Sequence, residues 1–279
     1  MKQLVLELTR PLTMPTDADM ISPSGLVSKS LDEIRRLKLW EGNQQTELGN
    51  IFTVKGEAGG PSSEFCILLS GDVRKLRRLG YRMSAGLLRI EGPAGMYVGE
   101  EMSGGTIYVE GDAGSWLGTK MQGGVMEVYG NAGDHIGAPY RGSREGMKGG
   151  SITVHGDAGT EVGCWMSDGL IRIKRSADTF PGTHMCGGTL LIEGDCKGRA
   201  GAGMTGGRVV ISGRMEDVLP SFTIDEIRDA VKVGEERVQG PFYVFRGDLC
   251  NKETGRIFIS VTKNSQLKWC ERYLEPWQH

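Results

Sequence analysis

The stretch GDAGSWLGTKMQGGVMEVYG, residues 111–130, decides the fold because the chain repeats it. Aligning the sequence on Met121 picks out Met83, Met102, Met147, Met166, Met185 and Met204. The seven are spaced by 19, 19, 26, 19, 19 and 19 residues. The long interval is 19 plus 7, an insertion within APYRGSREG (138–146). A glycine stands three residues before six of the Mets, at Gly80, Gly99, Gly118, Gly163, Gly182 and Gly201, and Gly137 holds the same place before Met147 once the seven inserted residues are set aside. A second column falls nine residues after each Met, at Gly92, Gly111, Gly130, Gly156, Gly194 and Gly213, with Arg175 as its fifth-coil member. Of the 44 glycines, 33 lie between Gly80 and Gly213. Self-similarity at a fixed short period marks a stacked architecture.

The segment before the second glycine column says which one. Four and two residues before it stand Leu88/Ile90, Ile107/Val109, Met126/Val128, Ile152/Val154, Ile171/Ile173, Leu190/Ile192 and Val209/Ile211. The alternate positions are mostly polar, as in Arg89/Glu91, Tyr108/Glu110, Thr153/His155 and Arg172/Lys174. A period of two means strands with one face inward. Nineteen residues are too few for a helical hairpin with loops, whereas short strands joined by glycine corners fit a parallel β-helix. The expected fold is all-β, a right-handed parallel β-helix of about seven coils with non-repetitive caps. Stacked at roughly 4.8 Å, seven coils make a rod roughly 30 Å long. The Met column should fill its interior, since thioethers pack irregular cores well.

The repeat also disposes of a competing motif. GRAGAGMTGG (198–207) holds a literal GxGxxG after the strand-like GGTLLIEGD, with Asp225 and Glu226 at the distance expected of a ribose-binding carboxylate. Gly201 and Gly206 belong to repeat columns, while Gly203 looks incidental beside its equivalents Glu101, Lys120, Trp165 and His184. The following GRVVISG alternates as a strand and cannot open the helix that would hold a pyrophosphate.

The chain has 279 residues, long enough for a sizeable core, and a net charge of −2, which favours neither nucleic acid nor an anionic membrane as partner. The N-terminus lacks a secretory signal pattern and no run is apolar enough to span a bilayer. Six cysteines (Cys66, Cys164, Cys186, Cys196, Cys250, Cys270) form no CxxC pair, so a cytoplasmic protein with reduced thiols is expected. His184, Cys186 and Cys164 are the nearest approach to a metal cluster, at no standard ligand spacing. No acid–base pair, nucleophile triad or P-loop emerges.

The flanks are read as caps. Residues 1–50 form an extended and helical leader, with QLVLEL as a strand and SLDEIRRLKLW (30–40) opening a helix through a Ser30–Glu33 capping box. Residues 51–213 are the β-helix, entered through the incomplete coils IFTVKGEAG and CILLSGD. In the cap 214–279, FTIDEIRDAV reads as a second capped helix, through Thr223 and Glu226. PFYVFRGD and GRIFISVTK read as a hairpin across LCNKET, and CERYLEPWQH stays unassigned. The basic stretches RKLRRLG (74–80) and IRRLK (34–38) read as solvated faces.

The most informative surface feature is a column five residues after the second glycines: Tyr97, Trp116, His135, Glu161, Phe180 and Arg199. Its neighbours Val98, Leu117, Ile136 and Val162 are apolar, so the partly aromatic column should point outward. The insertion carries Tyr140, Arg141 and Arg144 and should overhang the next corner at Trp165. Tyr97, Trp116, Tyr140, Arg141, Arg144 and Trp165 are therefore the candidate partner interface.

The repeats GDAGSWLGTKMQGG, GNAGDHIGA and GDAGTEVGCWMSDG resemble the GXGXG β-helix at the C-terminus of the glutamate synthase large subunit. With the leader ADMISPSGLVSKSLDEIRRLKLWEGNQQTELGNIFTVKGEAG, the chain through about residue 213 is more similar still to the C subunit of the tungsten- or molybdenum-dependent formylmethanofuran dehydrogenases. That resemblance implies a structural subunit of a complex that reduces CO2 to formylmethanofuran with low-potential electrons in methanogenesis. It implies no catalytic, cofactor or metal residues in this chain. Molybdopterin with tungsten or molybdenum, iron–sulfur clusters and a binuclear metal site would lie on other subunits. The implied partners are amidohydrolase-like, molybdopterin-binding, small β-barrel and ferredoxin-like subunits. The alternative is the C subunit of the formyltransferase/hydrolase complex of methylotrophs, which has no redox half. A stand-alone carbohydrate-active β-helix is a third reading, but Glu110, Glu193 and Asp195 are scattered rather than clustered. The fifth coil departs from the pattern at Arg175 and Asp178, a local bulge or a contact.

Overall fold

The computed structural model describes residues 2–251 and 254–274. Seven strands, Leu87–Ile90, Thr106–Val109, Val125–Val128, Lys148–Val154, Asp168–Ile173, Cys186–Ile192 and Gly206–Ile211, pair side by side in parallel. Leu88, Ile107, Met126, Ile152, Ile171, Leu190 and Val209 lie opposite one another along the ladder. All fourteen inward aliphatic positions and all seven repeat methionines are buried. The parallel β-helix and its Met-filled interior are as the periodicity predicts. The insertion does not slip the register, because Met126 still faces Ile152 across it.

Each lap turns at corners with different chemistry. At the alanine corner, Ala113, Ala132, Ala158, Ala177 and Cys196 bridge in sequence. Beside them a side chain from one lap holds the backbone of the next. Asp112 Oδ1 accepts from the Asn131 N–H at 2.7 Å, Asn131 Oδ1 from Asp157 at 2.9 Å and Asp157 Oδ1 from Ser176 at 2.9 Å. The second glycine column packs backbone on backbone here. A Cβ on Gly111 would stand 2.8 Å from the Pro93 nitrogen. In the fifth coil, Arg175 and Asp178 mark contacts rather than a bulge. Arg175 reaches Asp157 at 3.7 Å and Asp178 holds Lys197 at 2.6 Å, while the bridges continue through Ala177.

The corner before each Met is left-handed. Trp116, Gly118 and Lys120 have φ of +61°, +63° and +54°, so alternate residues adopt a conformation that L side chains resist. The central position must be glycine, since its Cβ would collide with the Ile152 δ-methyl. Among the described residues all twelve non-glycine positive-φ residues fall in the two flanking columns. One runs through Arg78, Tyr97, Trp116, His135, Glu161, Phe180 and Arg199, the other through Arg82, Glu101, Lys120, Trp165 and His184. Gly203 (φ +69°) continues the second column, so it is a repeat position and not incidental.

Both ends of the ladder are closed by the flanks. At the N-terminal end, Phe65–Ser70 and then Lys2–Leu8 add parallel strands, and Phe52–Gly56 covers the last edge antiparallel. The Ser30–Glu33 capping box forms and opens the short helix Leu31–Arg35. At the C-terminal end, Gly255–Ser260 adds one more parallel rung, with Ile257 opposite Val209. It pairs antiparallel with Glu236–Gly247, the hairpin expected from PFYVFRGD and GRIFISVTK, although residues 252 and 253 of its turn lie outside the described residues. The unassigned tail contributes to a 3-10 helix, Ser265–Tyr273, and its residues 275–279 also lie outside them.

FTIDEIRDAV is not a helix. It lies in the strand Thr223–Val233, paired antiparallel with Glu236–Gly247. The capping-box signal is local and weak, whereas an open sheet edge beside it offers a full row of backbone partners. Two bulges bend this hairpin, and its tip folds back over the ladder's outer face. Arg172 meets Glu236 at 2.7 Å and Arg208 donates to the Lys232 carbonyl at 3.0 Å. Val231, Val233, Phe242 and Val244 thereby bury the outward Leu191, Val210 and Phe258 in a second core.

The stack predicts the cost of disturbing it. Met121→Ala should lower stability by about 2–5 kcal/mol through the cavity it leaves. Gly118→Ala should cost at least about 1–3 kcal/mol by combining overpacking with a disfavoured φ. Both are read from denaturant midpoints, and an unchanged midpoint for either removes that column from the load path.

Candidate functional site

The left-handed corner gathers the six candidate residues on one face. Its alternating backbone turns the two flanking columns outward, and one lap's side chains lie against those of the next. Tyr97 stacks on Trp116 with ring centroids 5.4 Å apart, and Trp116 on His135 at 4.5 Å. In the second column Trp165 stacks on His184 at 4.4 Å. Tyr97, Trp116, Tyr140 and Trp165 are half-buried by this stacking, while Arg141 and Arg144 are exposed.

The insertion bridges both columns, as its sequence suggests. Arg144 lies over the Trp165 ring at 5.6 Å and Arg141 over Trp116 at 5.7 Å. Tyr140 turns inward. Its ring lies 5.4 Å from Lys120 Nζ, and its hydroxyl donates to Glu100 and, at 3.3 Å, to Glu101. Glu100 is fully buried and takes two further donors from Arg78, Nε at 2.9 Å and Nη2 at 2.8 Å. Arg82 pairs with Glu101 at 2.8 Å, one lap on.

These contacts set the protonation states. Burial first, then the bond to Glu100, pushes the Tyr140 phenol above its ordinary 10. The bond to Glu100 raises Arg78, and the Arg82 guanidinium holds Glu101 below the usual carboxylate range. Arg78, Glu100 and Tyr140 are thus a closed ionic lock that pins the loop to the rod. A buried pair of this kind serves register more than net stability.

Arg78 is the residue that sequence reasoning misplaces. Its surroundings read as a solvated basic stretch, yet it heads the left-handed column and turns onto Glu100. The available signal is Glu100 itself, a carboxylate in the column where other coils place Thr119, Cys164 and Thr183.

The thiols of Cys164 and Cys196 are buried in the rod. Burial, with Glu161 adding to it, pushes the Cys164 thiol up to about 12, and burial pushes Cys196 up to about 11. Neither thiol is a nucleophile at neutral pH. Among the described residues no group of three or more His, Cys, Asp or Glu is placed to hold a metal, and no helix is long and apolar enough to cross a membrane. A groove of about 580 Å³ runs along the alanine corner past Asp178, Cys196 and Lys197, with Lys197 already held by Asp178.

The fold defines a class, the parallel β-helix with glycine corners. The chain belongs to the family of formylmethanofuran dehydrogenase C subunits. It is 46% identical over 274 residues to the C subunit of the tungsten-containing formylmethanofuran dehydrogenase 2 of Methanococcus maripaludis, covering 96% of this chain and 100% of that one. The C subunit of the molybdenum-containing enzyme 1 of Methanosarcina barkeri is 36% identical over 98 residues, 35% of this chain and 33% of that one. Among solved structures it matches a chain of the formyltransferase/hydrolase complex from Methylorubrum extorquens, determined in complex with methylofuran. The TM-score is 0.81 at 27% identity, over 92% of this chain and 99% of that one. No family model matches the chain.

The lock makes a local prediction. Tyr140→Phe should leave the rod folded while costing about 1–3 kcal/mol at the loop, read as faster hydrogen exchange over residues 138–146. Because the folded phenol titrates above 10, its contribution is complete below pH 10 and is lost only as pH rises through the raised value. Unchanged exchange in the variant removes the lock.

Proposed function

We propose that this chain is the C subunit of a tungsten- or molybdenum-dependent formylmethanofuran dehydrogenase and acts in it as a structural support. That enzyme reduces CO2 to formylmethanofuran with low-potential electrons. The observation that carries the reading is the end-to-end 46% identity with such a subunit. Two features support a structural role. The buried ionisable groups of the corner are consumed in the Arg78–Glu100–Tyr140 lock, and the rod presents fixed side chains at regular intervals. In this reading molybdopterin, iron–sulfur clusters and a binuclear metal site lie on other subunits. The partners are the amidohydrolase-like, molybdopterin-binding, small β-barrel and ferredoxin-like chains. A cytoplasmic setting agrees with six unpaired thiols.

The docking face in this proposal is the left-handed corner with Tyr97, Trp116, Tyr140, Arg141, Arg144 and Trp165. Strained backbone concentrates at functional surfaces because the surroundings must be built to hold it. Rings and guanidiniums fixed on a rigid body are the residue types that dominate interfaces.

The 27% identical chain of the methylotroph complex supports a second reading, a formyltransferase/hydrolase subunit without redox chemistry. Purifying the native protein with its associated chains decides between them. Tungsten or molybdenum together with iron and acid-labile sulfide is the expected result; a complex with none of them selects the second reading. A chain that purifies alone overturns both. In the purified complex, Trp116→Ala combined with Arg141→Ala should weaken retention of partners at least about tenfold without unfolding the rod.

A further inference from the structure

We infer that the loop 138–146 is a carboxylate receptor, and that Arg141 and Arg144 together grip a segment of another subunit that bears two acidic side chains. This rests on the docking face proposed above and specifies its chemistry. The arginines of this corner divide into two kinds. Arg78 and Arg82 are matched by Glu100 and Glu101. Arg141 and Arg144 are exposed and meet indole faces instead of carboxylates among the described residues. The acidic residue of the loop does not quench them, because Glu145 is turned to Lys148 at 3.3 Å and Lys120 at 3.8 Å.

A guanidinium held over an indole face by cation–π attraction still has N–H donors to offer, and its planar fork is the geometry that takes a carboxylate in two parallel hydrogen bonds. The stacking also fixes the long side chain in advance, which lowers the entropy lost on binding. The base beneath is rigid, since Trp116 is clasped between Tyr97 and His135 and Trp165 lies on His184. The Tyr140 lock fixes the loop one residue before Arg141. A polyanion fits less well. The loop itself carries Glu145, Glu101 meets its Tyr140 and Glu161 meets His135 beside Trp116, so there is no continuous basic track, and the chain carries a net charge of −2.

The test uses the intact native complex. In the variant Arg141→Lys with Arg144→Lys, a zero-length carbodiimide should couple the substituted positions to Asp or Glu of another subunit, located by mass spectrometry. In Arg141→Glu with Arg144→Glu, retention of that subunit should fall at least about tenfold and lose its salt dependence. Hydrogen exchange over the ladder strands of the variant should match that of the wild-type complex. Both results are required. Cross-links confined to this chain or to a second copy of it overturn the inference, as does unchanged retention after charge reversal, or retention that nuclease abolishes. A charge-reversed chain still held in a tungsten- or molybdenum-containing complex overturns the inference while leaving the proposed function standing. A wild-type chain that purifies alone overturns both.

Discussion

The left-handed corner is the constraint on which the rest depends. In most laps three alternate residues sit at positive φ; the middle one is always glycine, and of the flanking ones only Gly203 is. The flanking residues hold a conformation that costs on the order of 1 kcal/mol or more each. They are kept there by the laps above and below, through the inward aliphatic ladder and the buried methionines. The strain and the stack are therefore one system. The core over-determines the corner, and the corner sends two columns of side chains outward with little freedom to turn away.

That coupling explains how a repetitive scaffold acquires a specific surface. The interior is nearly invariant from lap to lap, so individuality is confined to the flanking columns and to the insertion. Tyr97, Trp116 and His135 form one stack, and Trp165 with His184 another. The fourth lap, interrupted by seven extra residues, hands its place to Tyr140 and two arginines. Seven residues can be absorbed because they leave from a corner, where no ladder hydrogen bond has to be broken. The strands on either side pair as though nothing intervened.

Most of the fold was legible because periodicity of two and of nineteen survives without any knowledge of tertiary contacts. The aromatic column and the reach of the insertion were legible for the same reason. Three things were not. The strand Thr223–Val233 carried a helix-start signal, and only the neighbouring sheet edge overrides it. The inward turn of Arg78 depends on Glu100, twenty-two residues away, which no local pattern links to it. The special status of Gly203 was hidden because its equivalents are large side chains, and a left-handed backbone under Lys120 or Trp165 leaves no compositional trace. One signal stood in plain view. The outward strand positions change from Arg89, Glu127 and Arg172 to Leu191 and Val210, which announces that something must cover that end.

The unbroken register across the insertion gives the rod a metric. Every lap advances the surface by one strand spacing, about 4.8 Å, so the chain is a graduated ruler on which each side chain of the flanking columns has a fixed mark. Gaining or losing one complete lap would preserve the core and every turn, yet shift all marks beyond it by a single graduation. A partner that read two separated marks at once would thereby lose one of them, and would constrain the number of laps even where the rod's own stability is indifferent to length.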